Sequence, residues 1–178
     1  MRLFDRLAAS LGLKGAGPEG YSRFIDWQGN FEIVYPKSWR YDKDIAVVDG
    51  KYTICFLSPD GLCQFTVSVD ALLKKGFRFA GYAKCELESP TSGIYTKMKG
   101  SVFKSMPAYR REYRYSSGSR RFFGGGVMFF TGEMVFSISW SAPENQKERL
   151  TGMFEHMLKA LEVKKSDSIG NAEWGERP

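Results

Sequence analysis

The chain has 178 residues, with 43% hydrophobic, 15% aromatic and 26% charged side chains and a formal net charge of +6. That length suits one domain with short extensions, and the composition argues against disorder and against any need for a disulfide or metal staple. No stretch approaches the ~20 apolar residues of a membrane-spanning helix, and an excess of aromatics (14 Phe, 9 Tyr and 4 Trp) favours strands.

Residues 2–14 read as a short amphipathic helix, with Leu3, Phe4, Leu7, Ala8 and Leu11 on one face. Asp5 and Arg6 interrupt its apolar run, so neither a secretory signal nor, from Met1-Arg2, a myristoylation start is expected. A cytoplasmic location is the expectation. Gly15 to Gly20 form a linker, which places an N-terminal segment at 1–20, one folded domain at 21–164 and a flexible tail at 165–178.

Strand signals begin at residue 21. Phe31, Ile33 and Tyr35 alternate with Glu32 and Val34 until Pro36. Tyr52, Ile54 and Phe56 repeat the alternation, the Ser58-Pro59-Asp60-Gly61 turn follows, and Phe65, Val67 and Val69 continue it with polar neighbours. Phe79, Tyr82, Ala83 and Leu87 give a helical face over 79–88. Further strands are predicted near 94–103, 107–115, 121–130 and 133–141. Leu150, Met153, Phe154, Met157, Leu158 and Leu161 mark a closing helix over 144–162, with Pro143 and Glu144 suited to its start. Strands joined by short turns, with helices that do not alternate strictly with them, predict an α+β fold: one antiparallel sheet sandwiched between helices in a three-layer α/β/α arrangement.

Few residues offer catalytic chemistry. His156, the only histidine, points away from the apolar stripe of the closing helix and is expected in solvent. No serine or cysteine sits in a nucleophile motif. The cysteines Cys55, Cys63 and Cys85 are odd in number and lack CxxC spacing, so they read as free thiols, with no metal or other cofactor expected. Glu86, Glu88, Glu144, Glu148 and Glu155 lie at helix starts or outward faces and receive no acid/base role. Gly124-Gly125-Gly126 continues into Val127-Met128-Phe129-Phe130, a strand rather than a phosphate-binding helix start, so the glycines mark a bulge or a close approach of another group. Arg120 to Val127 lacks the residue order of an RNA-binding strand, and no nucleic-acid partner is expected.

Charge is concentrated instead. Residues 101–123 hold Lys104, Arg110, Arg111, Arg114, Arg120 and Arg121 against the single Glu112, a local net charge of +5. On strand 108–115, Tyr109, Arg111, Tyr113 and Tyr115 share one face, and Arg110 and Arg114 share the other, with Arg120 or Arg121 across the hairpin. Arg111 among tyrosines suits guanidinium stacking but needs a counter-charge, and a bulge near Arg110–Arg111 is the expected way to put both in water.

The string Phe31-Glu32-Ile33-Val34-Tyr35-Pro36-Lys37-Ser38-Trp39 resembles the opening signature of the PsbP-like family, a strand ending in Tyr-Pro-x-x-Trp. Phe56-Leu57-Ser58-Pro59, the helix with Tyr82-Ala83, Lys104-Ser105-Met106-Pro107-Ala108-Tyr109 and Ser139-Trp140-Ser141-Ala142-Pro143 resemble later motifs of that family in the same order, across residues 22–163. The resemblance implies an antiparallel sheet between helices. It also implies a binding or assembly role, as in the photosystem II extrinsic subunit and a Ran-binding nuclear import factor. It supplies no ligand site to transfer residue by residue. The expectation is a non-catalytic binding or adaptor domain whose basic hairpin, through Arg110, Arg114, Arg120 and Arg121, recognises an acidic protein partner. The alternatives are weak membrane-surface association through helix 2–14, homo-oligomerisation through that helix, and a small ligand-binding enzyme.

Overall fold

The computed structural model describes residues 20–42, 51–71, 77–88 and 97–163, without the side chains of 85–88 and 97–98. The expected helix at 2–14, the linker through residue 19, the tail at 165–178 and the Cys85 thiol lie outside the described residues.

The strands are β1 (Tyr21–Ile25), β2 (Phe31–Pro36), β3 (Arg40–Asp42), β4 (Lys51–Leu57), β5 (Gln64–Asp70), β6 (Lys97–Phe103), β7 (Met106–Ser117), β8 (Arg120–Phe130), β9 (Val135–Pro143) and β10 (Glu162–Val163). Helix α1 spans Phe79–Glu88, and α2 spans Lys147–Ala160 after a single 3₁₀ turn, Glu144–Gln146. The single sheet expected from the sequence is two. A three-stranded sheet runs β1-β2-β10, and a seven-stranded sheet runs β3-β4-β5-β9-β8-β7-β6. Every pairing is antiparallel.

The division has a local cause. Pro36 ends β2, a turn closes with the Trp39 N–H donating to the Pro36 carbonyl at 2.9 Å, and the chain enters the larger sheet at Arg40. The free edge of β2 is then taken by β10, because α2 stops at Ala160 and Leu161 turns to extended backbone. The closing helix is therefore two residues shorter at its C-terminal end than its apolar spacing suggests. In place of even α/β/α layering, the small sheet and α2 pack together on one face of the large sheet. Helix α1 packs on the opposite face, where Ala83 meets Met128 and Val135 with Phe77, Phe79 and Tyr82 alongside.

Alternation decides which side chains form the core. Ile54 and Phe56 of β4, Phe65, Val67 and Val69 of β5, and Phe136 and Ile138 of β9 all point toward Phe31 and Ile33 of β2 and toward Phe154, Met157 and Leu158 of α2. Tyr35, Trp39, Phe65, Val67, Phe136, Ile138, Phe154 and Leu158 are buried. Trp140 is only half-buried, with its ring stacked on Phe65 and tilted against Phe154. His156 departs from its expected place in solvent. It is half-buried, its ring centroid lies 4.9 Å from that of Tyr21, and its Nε2 is enclosed without a hydrogen bond. Helical phase alone could not show that β1 comes to lie beside this face of α2.

Candidate functional site

The β7–β8 hairpin closes through the two-residue loop Gly118-Ser119, with Ser117 paired to Arg120. Gly118 takes φ +58, the conformation needed at the first central position of such a turn and the one glycine adopts without penalty. This register fixes the faces. Ser116 pairs with Arg121 and Arg114 with Phe123, so Arg110, Arg114 and Arg121 project on the side of the sheet that carries α2. Arg120 projects on the other side with Tyr115 and Phe122.

The four arginines therefore do not form one patch. Arg110 stands seven residues from the end of β7, about 24 Å from the hairpin tip at ~3.4 Å per residue. Its direct cross-strand neighbour on β6 is another cation, Lys99. Arg114 pairs with Glu144, Nε to Oε1 at 3.3 Å, at an exposed position. Arg120 and Arg121 come together at the tip, where they line a surface pocket of about 610 Å³ with Leu62, Ser119, Pro143, Glu144, Asn145 and Gln146. Neither makes an ion pair among the described residues.

The other wall of this tip is the β4–β5 turn. The Ser58 hydroxyl and the Leu62 N–H donate to the Asp60 carboxylate and hold its pKa below the usual range, and the field of Arg120 adds to the effect. Asp60 tempers the positive tip but does not bond to it. Leu62, Asp60 and Asn145 escaped the sequence reading because they meet the hairpin only through the β5-β9-β8 strand order. The sole local hint was Pro143-Glu144 at the start of the closing helix.

The expected bulge at Arg110–Arg111 is absent. Pairing with β8 is uninterrupted from Ala108 to Ser117, so Arg111 stays on the tyrosine face. Its guanidinium lies over the Tyr113 ring, 5.3 Å from the centroid. Tyr113 in turn donates its hydroxyl to the Trp140 carbonyl at 2.8 Å, and burial pushes its pKa up to about 12. Such a packed face needs a bare floor, and the triple glycine supplies it. A Cβ on Gly124 would stand 2.5 Å from the Tyr113 ring, one on Gly125 2.5 Å from the Trp140 indole, and one on Gly126 2.9 Å from the Ile138 carbonyl oxygen. The close-approach reading of Gly124-Gly125-Gly126 is the one the structure shows, and none of the three has a positive φ.

No cluster of three or more potential metal ligands occurs among the described residues. Cys63 is buried and Cys55 half-buried, both are unbridged, and burial raises both thiol pKa values.

No protein-family model and no curated protein matches the sequence. Solved structures do match. The cyanobacterial PsbP protein CyanoP from Synechocystis sp. PCC 6803 is similar over 84% of this chain and 96% of its own, at 13% identity and a TM-score of 0.60. LpqN of Mycobacterium tuberculosis, described as involved in cell envelope biogenesis, covers 81% of this chain and 90% of its own, at 10% identity and a TM-score of 0.59. A Pseudomonas aeruginosa protein described as a putative regulator covers 82% and 99%, at 14% identity and a TM-score of 0.54. At these identities the likeness concerns the fold, and the chain has the PsbP-like fold.

Proposed function

We propose that this PsbP-like domain is a non-catalytic adaptor that docks an acidic segment of a protein partner at the tip of its β7–β8 hairpin. The observation that carries the reading is the imbalance at the tip pocket. Arg120 and Arg121 both line it unpaired, while Glu144, the one acid in its lining, is engaged by Arg114. A guanidinium presents parallel N–H donors that match a carboxylate, and two of them beside apolar Leu62 and Pro143 suit a peptide with acidic side chains. Arg114 supports the tip by holding Glu144 aside, and Arg110 contributes only to the longer-range field.

The test is fluorescence anisotropy with a labelled Glu-rich peptide. Arg120→Glu with Arg121→Glu should weaken binding at least about tenfold, a change of about 1.4 kcal/mol, and Arg110→Glu should leave it nearly unchanged. Equal binding by the double variant would remove the tip from this role. Capture by anionic vesicles in place of the peptide would favour the membrane alternative. A thermal shift with nucleotides or metal ions would favour the small-enzyme alternative.

A further inference from the structure

Among the described residues, α1 is the helix packed on the face of the large sheet opposite α2, and this face carries a cation that the tip pocket does not use. Reading across the strands in register, Arg111, Gly126, Ser139, Thr66 and Cys55 stand side by side on β7, β8, β9, β5 and β4. The Arg111 side chain lies along the bare backbone of Gly126, where a Cβ would come within 3.4 Å of its Nε. Its guanidinium lies within cation–π range of the Tyr113 ring. Its Nε is sealed from solvent without a hydrogen bond. No carboxylate among the described residues pairs with it. The carboxylate in its own row, Asp42, is five strands away, about 24 Å at ~4.8 Å per strand. Asp70 on the same face accepts the Tyr82 hydroxyl at 2.9 Å.

Beyond Gly126, from two strands away onward, the same face carries hydroxyls on β9, β5 and β4. Thr66 and Ser139 pair through their oxygens at 2.5 Å, and Thr53 and Ser68 do so at 2.7 Å. Thr66 also donates to the Ser139 carbonyl at 3.3 Å, so that pair offers a ligand lone pairs, while the Thr53–Ser68 pair uses one proton internally and keeps one donor. A part-desolvated cation without a counter-ion among the described residues costs free energy that a bound oxyanion would offset. The hydroxyl pairs farther along the same face match a ligand that is itself hydroxylated.

We propose that this face is a second binding site, for a small anionic saccharide whose phosphate or carboxylate meets Arg111 and whose hydroxyls meet Ser139, Thr66 and Ser68. Both oxyanions share the chemistry, so glucose 6-phosphate and glucuronate are the two probes. They are titrated into the full chain and followed by backbone amide NMR, with glucose and inorganic phosphate as partial ligands. At least one charged sugar should shift Gly126, Ser139 and Thr66, and it should bind at least about tenfold tighter than either partial ligand. Arg111→Gln should lose that tenfold, and so should Arg111→Lys, which keeps the charge but not the planar fork. Thr66→Ala with Ser139→Ala should weaken the charged sugar and leave inorganic phosphate unchanged. Arg120→Glu with Arg121→Glu should change nothing, which separates this site from the tip pocket. Failure of both sugars to bind, wild-type affinity in folded Arg111→Gln, or inorganic phosphate binding as tightly as the charged sugars would each overturn the proposal.

Discussion

Tyr113 lies flat across Gly124, so that the ring from β7 reaches over β8 and its hydroxyl bonds to the Trp140 carbonyl on β9 at 2.8 Å. One side chain thus ties three strands together. The same strand repeats the device on its two faces, with Trp140 seated on Gly125 toward the core and Arg111 on Gly126 away from it. The glycines weaken the strand by roughly 0.5–1 kcal/mol each through backbone entropy. The packing of three large side chains against bare backbone offsets that cost.

Alanine at these positions should therefore destabilise despite its better strand entropy. Gly124→Ala should cost about 1–3 kcal/mol in urea denaturation, since the new methyl meets both the Tyr113 ring and the rigid Trp140 carbonyl. Gly125→Ala meets only the Trp140 ring, so combining it with Trp140→Leu should recover part of the loss, a non-additivity visible in a double-mutant cycle. A Gly124→Ala protein more stable than wild type would refute the seating argument.

Phe154 is the keystone of the interface between α2 and the sheet, 1% exposed and in ring contact with Trp39, Phe65, Phe123 and Trp140. Phe154→Ala should cost about 3–5 kcal/mol. Trp140→Ala should fall at or below the lower end of that range, because its ring is only half-buried. Equilibrium denaturation of the two variants should rank them in that order.

Much of this interface was legible beforehand. In β9, Phe136, Ile138 and Trp140 alternate with serines, and in α2 the apolar positions follow helical spacing, so local pattern and tertiary burial agree. Faces on the hairpin were half-legible: parity put Arg110 with Arg114, but choosing Arg121 over Arg120 required knowing that the loop is Gly118-Ser119 alone. Strands β3 and β10, of three and two residues, carry too little periodicity to read, and β10 exists only because β2 has an edge to fill. The tip pocket was illegible for a related reason, since Leu62 and Asn145 are brought to Arg120 by strand order and not by spacing in the chain.

The β6–β7 turn contains strain that a substitution can release. Lys104 and Ser105 have φ of 48 and 68, left-handed values that cost a non-glycine residue roughly 1–2 kcal/mol. Ser105→Gly would remove its share while adding about 0.4–1 kcal/mol of unfolded-state entropy. The expected net is a stabilisation of up to about 1 kcal/mol, read as a higher denaturation midpoint with an unchanged slope. Lys104 is better left in place, because its Nζ donates to the Leu161 carbonyl at 2.6 Å just beyond the end of α2.

His156 should make stability depend on pH near neutrality. Burial against Tyr21, and secondarily the charge of Lys159, lower its pKa from the ordinary 6.5. The neutral ring is thus the form the fold favours. Its contribution is fully present above pH 6.5 and is lost as pH falls through the lower folded-state value. His156→Phe keeps an aromatic ring beside Tyr21 and removes the titration. Between about pH 7 and about pH 5.5 the wild-type melting temperature should fall more than that of the variant. Parallel curves would show that the enclosed Nε2 has no energetic consequence.

Arg110 and Lys99 face each other directly across β6 and β7, an exposed like-charge pair that opposes sheet pairing. Arg110→Glu turns it into an opposite-charge pair and should raise stability by about 0.2–1 kcal/mol at low salt. Salt should shrink the gain, since both side chains are exposed. Because Arg110 stands about 24 Å from the tip, the same variant should bind a Glu-rich peptide almost as tightly as wild type, whereas reversal of Arg120 and Arg121 should weaken binding at least about tenfold without raising stability. Stability and recognition would then separate along one strand pair. If Arg110→Glu instead weakened peptide binding as much as the tip reversal, the whole length of the hairpin would be the recognition surface, and the two unpaired arginines at the pocket would have no special role.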